Sequence, residues 1–457
     1  MSRHDSTDGG RHSSTIDRRQ VLSAAGAALT AGVAGCGGLT GSTSSGSSGG
    51  SSNSGDVEIT FWYYFGAKER EVMTSLIDEF NQQDNGIQVN AQGVPFGEFL
   101  NKVFTGVNAN SSPHVMTFFG SYGRHLEPVT YPIDDYLSDG AKNEYFDVAW
   151  NSLQVDDSTY AMPIDIHGKA VYTNNDVLDS AGVDPDFTDW DSFSNACDTI
   201  VSETDANAFS FLNWKSGQEA FRAYTSALSQ AGGTVLSGEP GNLEVSYNDE
   251  TGMQTAELMA DITGDFGWDS STFQSDSARV ENFIGDKLGM FIAGTWSVNN
   301  FKNEEGELME DLSFSFEKPF MFPGDGEDVA WCESNSLFFP KNDNHTEAEK
   351  QAAVEFAEYV TQNNPEWASA GGHLPSAKSV ATSSAVQSST LWDEVGTIST
   401  MHDMVSDGQV QYQPQTPVDI NSSRFWGPFL DMYLQNTDVA AGVEASASEL
   451  QNALDSA

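Results

Sequence analysis

A run of aromatic side chains near the start of the folded region has residue types suited to binding a sugar. Trp62-Tyr63-Tyr64-Phe65 directly follows an alternating apolar segment that starts at Val57. Aromatic faces stack on the apolar side of a pyranose ring, while fixed polar groups pair with its hydroxyls. We expect Tyr64 and Phe65 to contact a ligand, whereas Trp62 suits a core position equally well.

Polar and small residues at two further places could complete such a site. Phe119, followed by Gly120 and Ser121, comes after an apolar segment, and a small residue lets the backbone approach a ligand closely. Asp165 and His167 stand together in Pro-Ile-Asp-Ile-His-Gly. A carboxylate accepts hydroxyl protons, and a neutral imidazole donates or accepts. An ordinary turn at Gly120 and a solvated histidine are the alternatives that these residue types leave open.

The elements that must position these residues alternate between strand and helix. Residues 57–61 alternate apolar and polar side chains, 69–81 have helical spacing, and 87–91 alternate again. This order predicts an open, parallel α/β sheet, in which ligands bind at the carboxyl ends of the strands. Further along the chain, Thr346 and Glu349 have the spacing of a capping box at a helix start.

The sequence predicts neither a metal nor another cofactor. The eight histidines are scattered, without an HExxH or CxxC motif. Acidic clusters such as Asp134-Asp135 lack the spacing of a calcium loop and are typical of a solvated surface. Cys197 and Cys332 form no disulfide framework, and their pairing is left open.

The charge of the chain is strongly acidic. Asp and Glu number 67 against 20 Lys and Arg, which gives a net charge of −47. Such an excess excludes nucleic acid as a partner and opposes adhesion to an anionic membrane surface. We interpret it as salt adaptation and expect a halophilic, haloarchaeal source, since salt must screen the self-repulsion. An acidic protein from an ordinary organism is the alternative.

The first 55 residues have the pattern of an export signal and a tether. Arg18-Arg19 precedes a weakly apolar run that ends in Val33-Ala34-Gly35-Cys36. The paired arginines resemble a twin-arginine signal, and the last four residues resemble a lipobox, in which Cys36 is lipidated. We therefore predict a signal peptide over 1–35 and a flexible Gly/Ser-rich tether over 36–55. This predicts a lipid anchor on the outer face of the cytoplasmic membrane.

Six segments of the body carry a resemblance to a known family. They are, in order, ITFWYYFGAKEREVMTSLIDEFNQQDNGIQV, SPHVMTFFG, YAMPIDIHGKAVYTNNDVLDSAGVDP, KLGMFIAGTWSVNNF, AAVEFAEYV and RFWGPFLDMYL. In this order, and behind a lipobox, they resemble the extracellular solute-binding proteins of sugar importers, the family that contains the maltose-binding protein. The resemblance runs from about Val57 to the C-terminus.

The resemblance implies a periplasmic-binding-protein-like type II fold, with two α/β lobes joined by crossing strands and a ligand cleft between them. It places the crossings near Ile166–Gly168, Cys332–Asn335 and His373–Pro375. Lobe 1 would comprise 56–167 and 333–373, and lobe 2 would comprise 168–332 and 374–457.

The resemblance also extends the set of candidate ligand contacts. Trp296, Trp331 and Trp426 occupy family positions of aromatic platforms, although a core position is the alternative for each. Glu333 and His373 would meet hydroxyls at the second and third crossings, and Trp214 is a weaker candidate. The complete predicted ligand-binding set is Tyr64, Phe65, Phe119, Ser121, Asp165, His167, Trp214, Trp296, Trp331, Glu333, His373 and Trp426.

The implied function is capture of a solute outside the cell and its delivery to the permease subunits of an ABC importer, by a monomer without enzymatic activity. We rank a neutral mono- or oligosaccharide first, because the candidate segments are almost free of the Arg and Lys that anion capture requires. Glycerol-3-phosphate or another anionic solute is the alternative within transport. An exported glycoside hydrolase, with two carboxylates across a cleft, and a surface adhesin or lectin are the alternatives outside it.

Overall fold

The computed structural model describes residues 57–185, 187, 189–211, 217–239, 241–269, 276–303 and 305–457. The predicted signal peptide, the tether and Cys36 lie outside these residues. The strands of the described part are β1 Val57–Tyr63, β2 Ile87–Gly93, β3 Val115–Phe119, β4 Gln154–Val155, β5 Ser158–Thr159, β6 Ala161–Pro163, β7 Asp165–Asn174, β8 Asn207–Ser210, β9 Leu236–Glu239, β10 Asn242–Val245, β11 Leu288–Gly294, β12 Phe314–Glu317, β13 Ala330–Glu333, β14 Asn335–Phe338, β15 Leu374–Pro375 and β16 Val410–Tyr412.

Helices connect and cover these strands. They are α1 Ala67–Asn81, α2 Phe96–Asn108, α3 Gly123–Leu126, α4 Asp147–Asn151, α5 Asn175–Ala181, α6 Trp190–Glu203, α7 Gly217–Gln230, α8 Glu250–Thr263, α9 Asp276–Ile284, α10 Glu347–Gln362, α11 Glu366–Gly371, α12 Lys378–Ala381, α13 Ser384–Gln387, α14 Thr390–Asp393, α15 Thr397–Ser406, α16 Ser423–Tyr433 and α17 Val439–Leu454. Short 3₁₀ segments include Thr295–Phe301, directly after β11. Among the described residues, we find no helix with the length and apolar composition needed to cross a bilayer.

Two sheets divide the body into two lobes. Lobe 1 is built on a five-stranded sheet in the order β2-β1-β3-β14-β6. Its apolar clusters combine strand residues such as Phe61 with α1 and α10, and Met116 with α2. Because β1 pairs in parallel with β2 and β3, the strand–helix–strand interpretation of the N-terminal region is confirmed.

Lobe 2 is built on a seven-stranded sheet. Its main path is β16-β13-β7-β11-β8, and β12 and β15 pair with β7 outside that path. Ten-residue β7 is buried along its whole length, as expected for a central strand covered on both faces. One apolar cluster packs α6, α7, α8, α16 and α17 against this sheet, and a second packs α9 and α15 against it. Cys197 and Cys332 are free, buried thiols that belong to these two clusters.

The chain passes between the sheets at three adjacent places. It leaves β6 of lobe 1 and enters β7 of lobe 2 at Ile164, two residues before the start of the crossing that was predicted. It returns from β13 to β14 at Ser334. At the third place, Leu374 of β15 pairs with Ile166 of β7. The three crossings therefore lie side by side, and their side chains meet at the junction of the lobes.

Close packing of the first two crossings gives a test of this arrangement. A Cβ added at Gly168 would lie 2.9 Å from the carbonyl oxygen of Trp331 and 3.1 Å from Cε of Met401. We expect Gly168→Ala to separate β7 from β13 and to lower the free energy of unfolding by about 1–3 kcal/mol. Gly97→Ala, at an exposed position of α2 where a Cβ meets nothing within 4 Å, should instead be neutral or stabilising by up to about 1 kcal/mol. Urea unfolding of both variants in high salt measures this, and equal stabilities would contradict the close packing.

Candidate functional site

The carboxylate of Asp165 holds the crossings together. It is fully buried and takes part in four hydrogen bonds. The backbone N–H of Asn335 donates to Oδ1 over 3.0 Å, and the side-chain amide of Asn335 donates to Oδ2 over 2.7 Å. Trp367 Nε1 also donates to Oδ2, and His167 Nδ1 lies 2.9 Å from Oδ1. An ionised carboxylate can only accept, so His167 carries its proton on Nδ1 and presents Nε2 as an acceptor.

Two histidines adjoin this carboxylate, and their pKa values are shifted in opposite directions. Burial opposes ionisation of Asp165, but His373 and His167 outweigh it and lower the pKa of Asp165 to about 2. Burial also opposes protonation of His373, yet Asp165 and Glu69 raise its pKa. Burial lowers the pKa of His167. The imidazole of His373 lies 3.3 Å from Glu69 of lobe 1 and 3.3 Å from the hydroxyl of Thr295 of lobe 2, so it links both lobes.

The same three residues have the composition of a metal site. The ligand atoms of Asp165, His167 and His373 all lie within 4.8 Å of one another, a proximity that their sequence spacing did not predict. The hydrogen bonds of Asp165 already engage both of its oxygens with N–H donors. A metal would have to break these bonds, so we interpret the cluster as the hydrogen-bonded support of the junction.

Strand pairing places four side chains on one face of the lobe 2 sheet. Glu333 of β13 is directly opposite His167 of β7, and directly opposed residues of an antiparallel pair share a face. Lys169 and Trp331 lie two residues further along their strands and therefore join the same face. Consistent with this, the rings of His167 and Trp331 are 6.3 Å apart. We call this face, with the partly exposed Trp296 beside it, the cleft floor.

Glu333 is the carboxylate of the cleft floor with unused hydrogen-bonding capacity. Its Oε1 accepts from the backbone N–H groups of Ser121, over 3.1 Å, and Ser334, over 3.0 Å. Its Oε2 is buried and makes no hydrogen bond within the described structure. Burial raises the pKa of Glu333 to about 7, although the bonds from Ser121 and Ser334 act in the opposite direction. An acceptor in this state is available to a ligand.

A cluster of charges that the sequence did not predict as part of the site borders the floor. Glu219 of α7 forms ion pairs with Lys169 and, over 2.7 Å, with Arg222. The guanidinium of Arg222 lies 4.2 Å from the ring centre of Trp331, and Nζ of Lys169 lies 4.9 Å from that of Trp296. Burial opposes ionisation of Glu219, but the two cations outweigh it and lower its pKa to about 2.

Lobe 1 covers the floor with the last residue of β3 and the residues that follow it. The ring of Phe119 is 6.5 Å from His167, and Ser121 donates its N–H to Glu333. Tyr64 stands behind them, since its hydroxyl donates to Asn335 Oδ1 over 2.6 Å and its ring lies 5.9 Å from Phe119. Tyr64 therefore supports the covering wall.

Two of the predicted contacts, Phe65 and Trp426, lie outside this assembly, and the structure does not describe a third. Phe65 is 2% exposed, because its ring packs edge-on against Trp367 in the core of lobe 1. Trp426 is fully buried, because it stacks on Phe221 and donates Nε1 to the carbonyl of Ile420 in the core of lobe 2. Trp214 lies outside the described residues. The junction brings together the other nine predicted residues, which are Tyr64, Phe119, Ser121, Asp165, His167, Trp296, Trp331, Glu333 and His373. Asp165, Trp331 and Glu333 are fully buried there.

A groove of about 1110 Å³ runs between the lobes beside this junction. The residues that line it include Gln154 of the β4–β5 hairpin, Asn242 at the start of β10, and Gln413 and Gln415 after β16. Gln413 separates the groove from the floor, since its amide oxygen accepts from Trp331 Nε1 and its amide nitrogen lies 3.4 Å from the hydroxyl of Ser121. The groove therefore borders the floor at Gln413.

Two α/β lobes linked by crossing strands, with polar and aromatic groups at their junction, form an architecture in which hinged proteins hold ligands between domains. Residues 75–392 match the family model of the bacterial extracellular solute-binding proteins, and the chain belongs to this family. A putative binding protein of Brucella abortus (strain 2308) is 24% identical over 268 residues, which are 56% of this chain and 62% of that relative. The chain thus spans about three-fifths of the length of the curated relatives that it matches.

Solved structures share the fold. The cyclic alpha-maltosyl-1,6-maltose binding protein from Arthrobacter globiformis superposes with a TM-score of 0.72 and 20% identity, over 88% of this chain and 100% of that one. The sugar-binding protein MalE from Xanthomonas citri gives a TM-score of 0.71 and 18% identity, over 88% and 98%. The maltotriose binding protein of Thermus thermophilus gives a TM-score of 0.64 and 17% identity, over 86% and 99%. The predicted α/β, periplasmic-binding-protein-like type II fold is confirmed.

The pKa of Glu333 leads to a pH-dependent prediction. A folded-state pKa of about 7, above the ordinary 4.5, means that stability is lost as the pH rises from 4.5 through 7. Glu333→Gln removes the charge and keeps an acceptor for Ser121 and Ser334. We expect it to gain about 1–3 kcal/mol over the parent at pH 8 and little at pH 5, in urea unfolding at high salt. Glu355→Gln, on the exposed face of α10, is the control, and a gain for Glu333→Gln that does not depend on pH would refute the buried charge.

Proposed function

We propose that this protein captures a sugar outside the cell, between its two lobes, and delivers it unchanged to the permease subunits of an ABC importer. Membership of the solute-binding family and the likeness to structures described as maltose, maltotriose and other sugar binding proteins support this proposal. The protein acts as a binding protein and not as an enzyme, as do the proteins that it resembles.

One observation carries the choice of a hydroxyl-bearing solute. Glu333 Oε2 and Arg222 Nε are a buried acceptor and a buried donor, and neither makes a hydrogen bond within the described structure. An unpaired polar group costs about 1–3 kcal/mol, which a ligand with oxygen atoms restores when it binds. The rings of Trp296 and Trp331 lie beside Arg222. Trp331 is fully buried, whereas Trp296 is partly exposed and can supply an apolar face for a pyranose.

Contacts between the lobes support capture by closure. Tyr122 of lobe 1 donates its hydroxyl to Asp419 of lobe 2, and His125 lies 2.9 Å from the carbonyl oxygen of Pro417. These bonds join segments on both sides of the junction and would have to open to admit a solute. The solute is therefore held by bonds that form only when the lobes meet.

Export and anchoring are further parts of the proposal. The twin-arginine pattern, the lipobox ending in Cys36 and the Gly/Ser-rich segment after it support a lipid-anchored protein on the outer face of the cytoplasmic membrane. The net charge of −47 supports a halophilic, haloarchaeal source and a monomer kept soluble at high salt.

A sugar titration tests the function. We expect saturable quenching of tryptophan fluorescence when a panel of mono- and oligosaccharides is added in high salt, with the sugar recovered intact. Trp296→Ala should weaken binding at least about tenfold, since it removes an aromatic face at the floor. Trp190→Ala is the matched control, because Trp190 is also partly exposed in lobe 2 but packs on Phe193 and Trp268, away from the floor. Hydrolysis of the sugar, or equal losses in both variants, would contradict the proposal.

A further inference from the structure

Positive charge is scarce in this protein and yet concentrated at the cleft floor. The whole chain has 20 Lys and Arg among 457 residues. Lys169 and Arg222 are only 3% and 7% exposed, and both lie against the tryptophans of the floor. Two cations on an ordinary protein surface would be exposed, because Lys and Arg are almost never fully buried unless they are paired.

The carboxylates of the described residues do not balance the positive charge of Lys169 and Arg222. Among the described residues, Glu219 is the one carboxylate that forms ion pairs with Lys169 and Arg222, so a single negative charge faces these two cations. Glu333 is the next carboxylate at the floor, but its pKa of about 7 leaves it only partly ionised at neutral pH. Burial, followed by Arg222 and Arg279, lowers the pKa of Lys169 against the opposing effect of Glu219. The floor thus carries an excess of positive charge.

The position of the excess charge points to the solute. Arg222 has a donor, Nε, that makes no hydrogen bond within the described structure, and its guanidinium lies 4.2 Å from the ring centre of Trp331 and 5.8 Å from that of Trp296. A buried, incompletely paired guanidinium is costly, and an anion that enters with the ligand offsets that cost.

We propose that the captured solute carries an acidic group, a carboxylate or a phosphate, that binds to Arg222 and Lys169 while its hydroxyls meet Glu333 and His167. This inference rests on the proposed function and replaces a neutral sugar by a sugar acid or sugar phosphate. Lys169 follows His167 on the same face of β7, Arg222 reaches the floor from α7, and both cations lie against the ring of the partly exposed Trp296. A sugar ring that stacks on Trp296 can therefore bring its acidic group to both cations.

A matched panel tests the charge of the solute on the unaltered protein. D-glucose, D-glucuronate and D-glucose 6-phosphate share a ring and differ at the sixth carbon, and maltotriose and an oligogalacturonate extend the comparison to longer ligands. We expect an acidic member to bind at least about tenfold more tightly than its neutral counterpart. This preference should persist in molar salt, because a buried pair is screened little. The uronates and the phosphate distinguish a carboxylate from a phosphate.

The other outcomes separate this inference from the function on which it rests. Neutral sugars that bind as tightly as the acids would overturn the acidic group and leave sugar capture standing. A folded protein, by circular dichroism, that binds no member of the panel would overturn both.

Variants locate the acidic group. We expect Arg222→Gln and Lys169→Gln each to weaken binding of the preferred acid at least about tenfold and to change binding of the neutral counterpart less than about threefold. The controls are Arg424→Gln and Lys318→Gln. Each removes a more exposed cation of lobe 2 that forms an ion pair with a carboxylate of its own. Equal losses for the acid and the neutral sugar would assign the cations a structural role. Should a buried variant fail to fold, the panel on the unaltered protein decides.

Discussion

The buried carboxylate of Asp165 is the interaction on which the rest of the molecule depends. A carboxylate without access to water is stable only when its oxygens are fully hydrogen-bonded, and here the donors come from three separate parts of the chain. Asn335 lies just after the second crossing, Trp367 lies on the helix that leads to the third, and His167 follows on the first. All three must be in register for Asp165 to remain charged, so one residue fixes the relative position of the crossings.

The cleft floor follows from that register. When β7 starts at Asp165, His167 and Lys169 fall on the face that also receives Trp331 and Glu333 from β13. The backbone of lobe 1 then reaches Glu333 through Ser121, so the floor and its covering wall are linked by a hydrogen bond rather than by apolar contact alone. His373, which lies 3.3 Å from Glu69, adds a link at the third crossing, and Asp165 and Glu69 raise its pKa. Because these contacts join both lobes, the site is complete only when the lobes are together.

Local patterns in the sequence predicted the elements that depend on local physics. The helix expected over 69–81 is α1, and the capping box expected at Thr346 and Glu349 starts α10. Both follow from residues within a few positions of one another. The residues that flank the crossings were also named from the sequence, because the Pro-Ile-Asp-Ile-His-Gly segment is continuous and the resemblance supplied its partners.

The remaining features depend on packing between distant parts of the chain. Glu219 lies 50 residues from Lys169, and Arg222 has the pattern of an ordinary helix surface, so no local signal places them at the floor. Lys169 follows His167 by two residues, and the strand period could have placed it beside that histidine. Aromatic type alone could not separate Trp296 from Trp426, since contacts with distant residues such as Phe221 of α7 bury Trp426.

A crystal structure of the protein with the tightest-binding sugar of the panel tests the central claim most directly. The account predicts that the solute lies between the lobes, with one oxygen in hydrogen-bond contact with Glu333 Oε2, another with Arg222, and the four hydrogen bonds of Asp165 unchanged. A solute that is bound in the groove near Gln154 and Asn242, without contact to the floor, would contradict it. So would a solute that displaces Asn335 or Trp367 from Asp165.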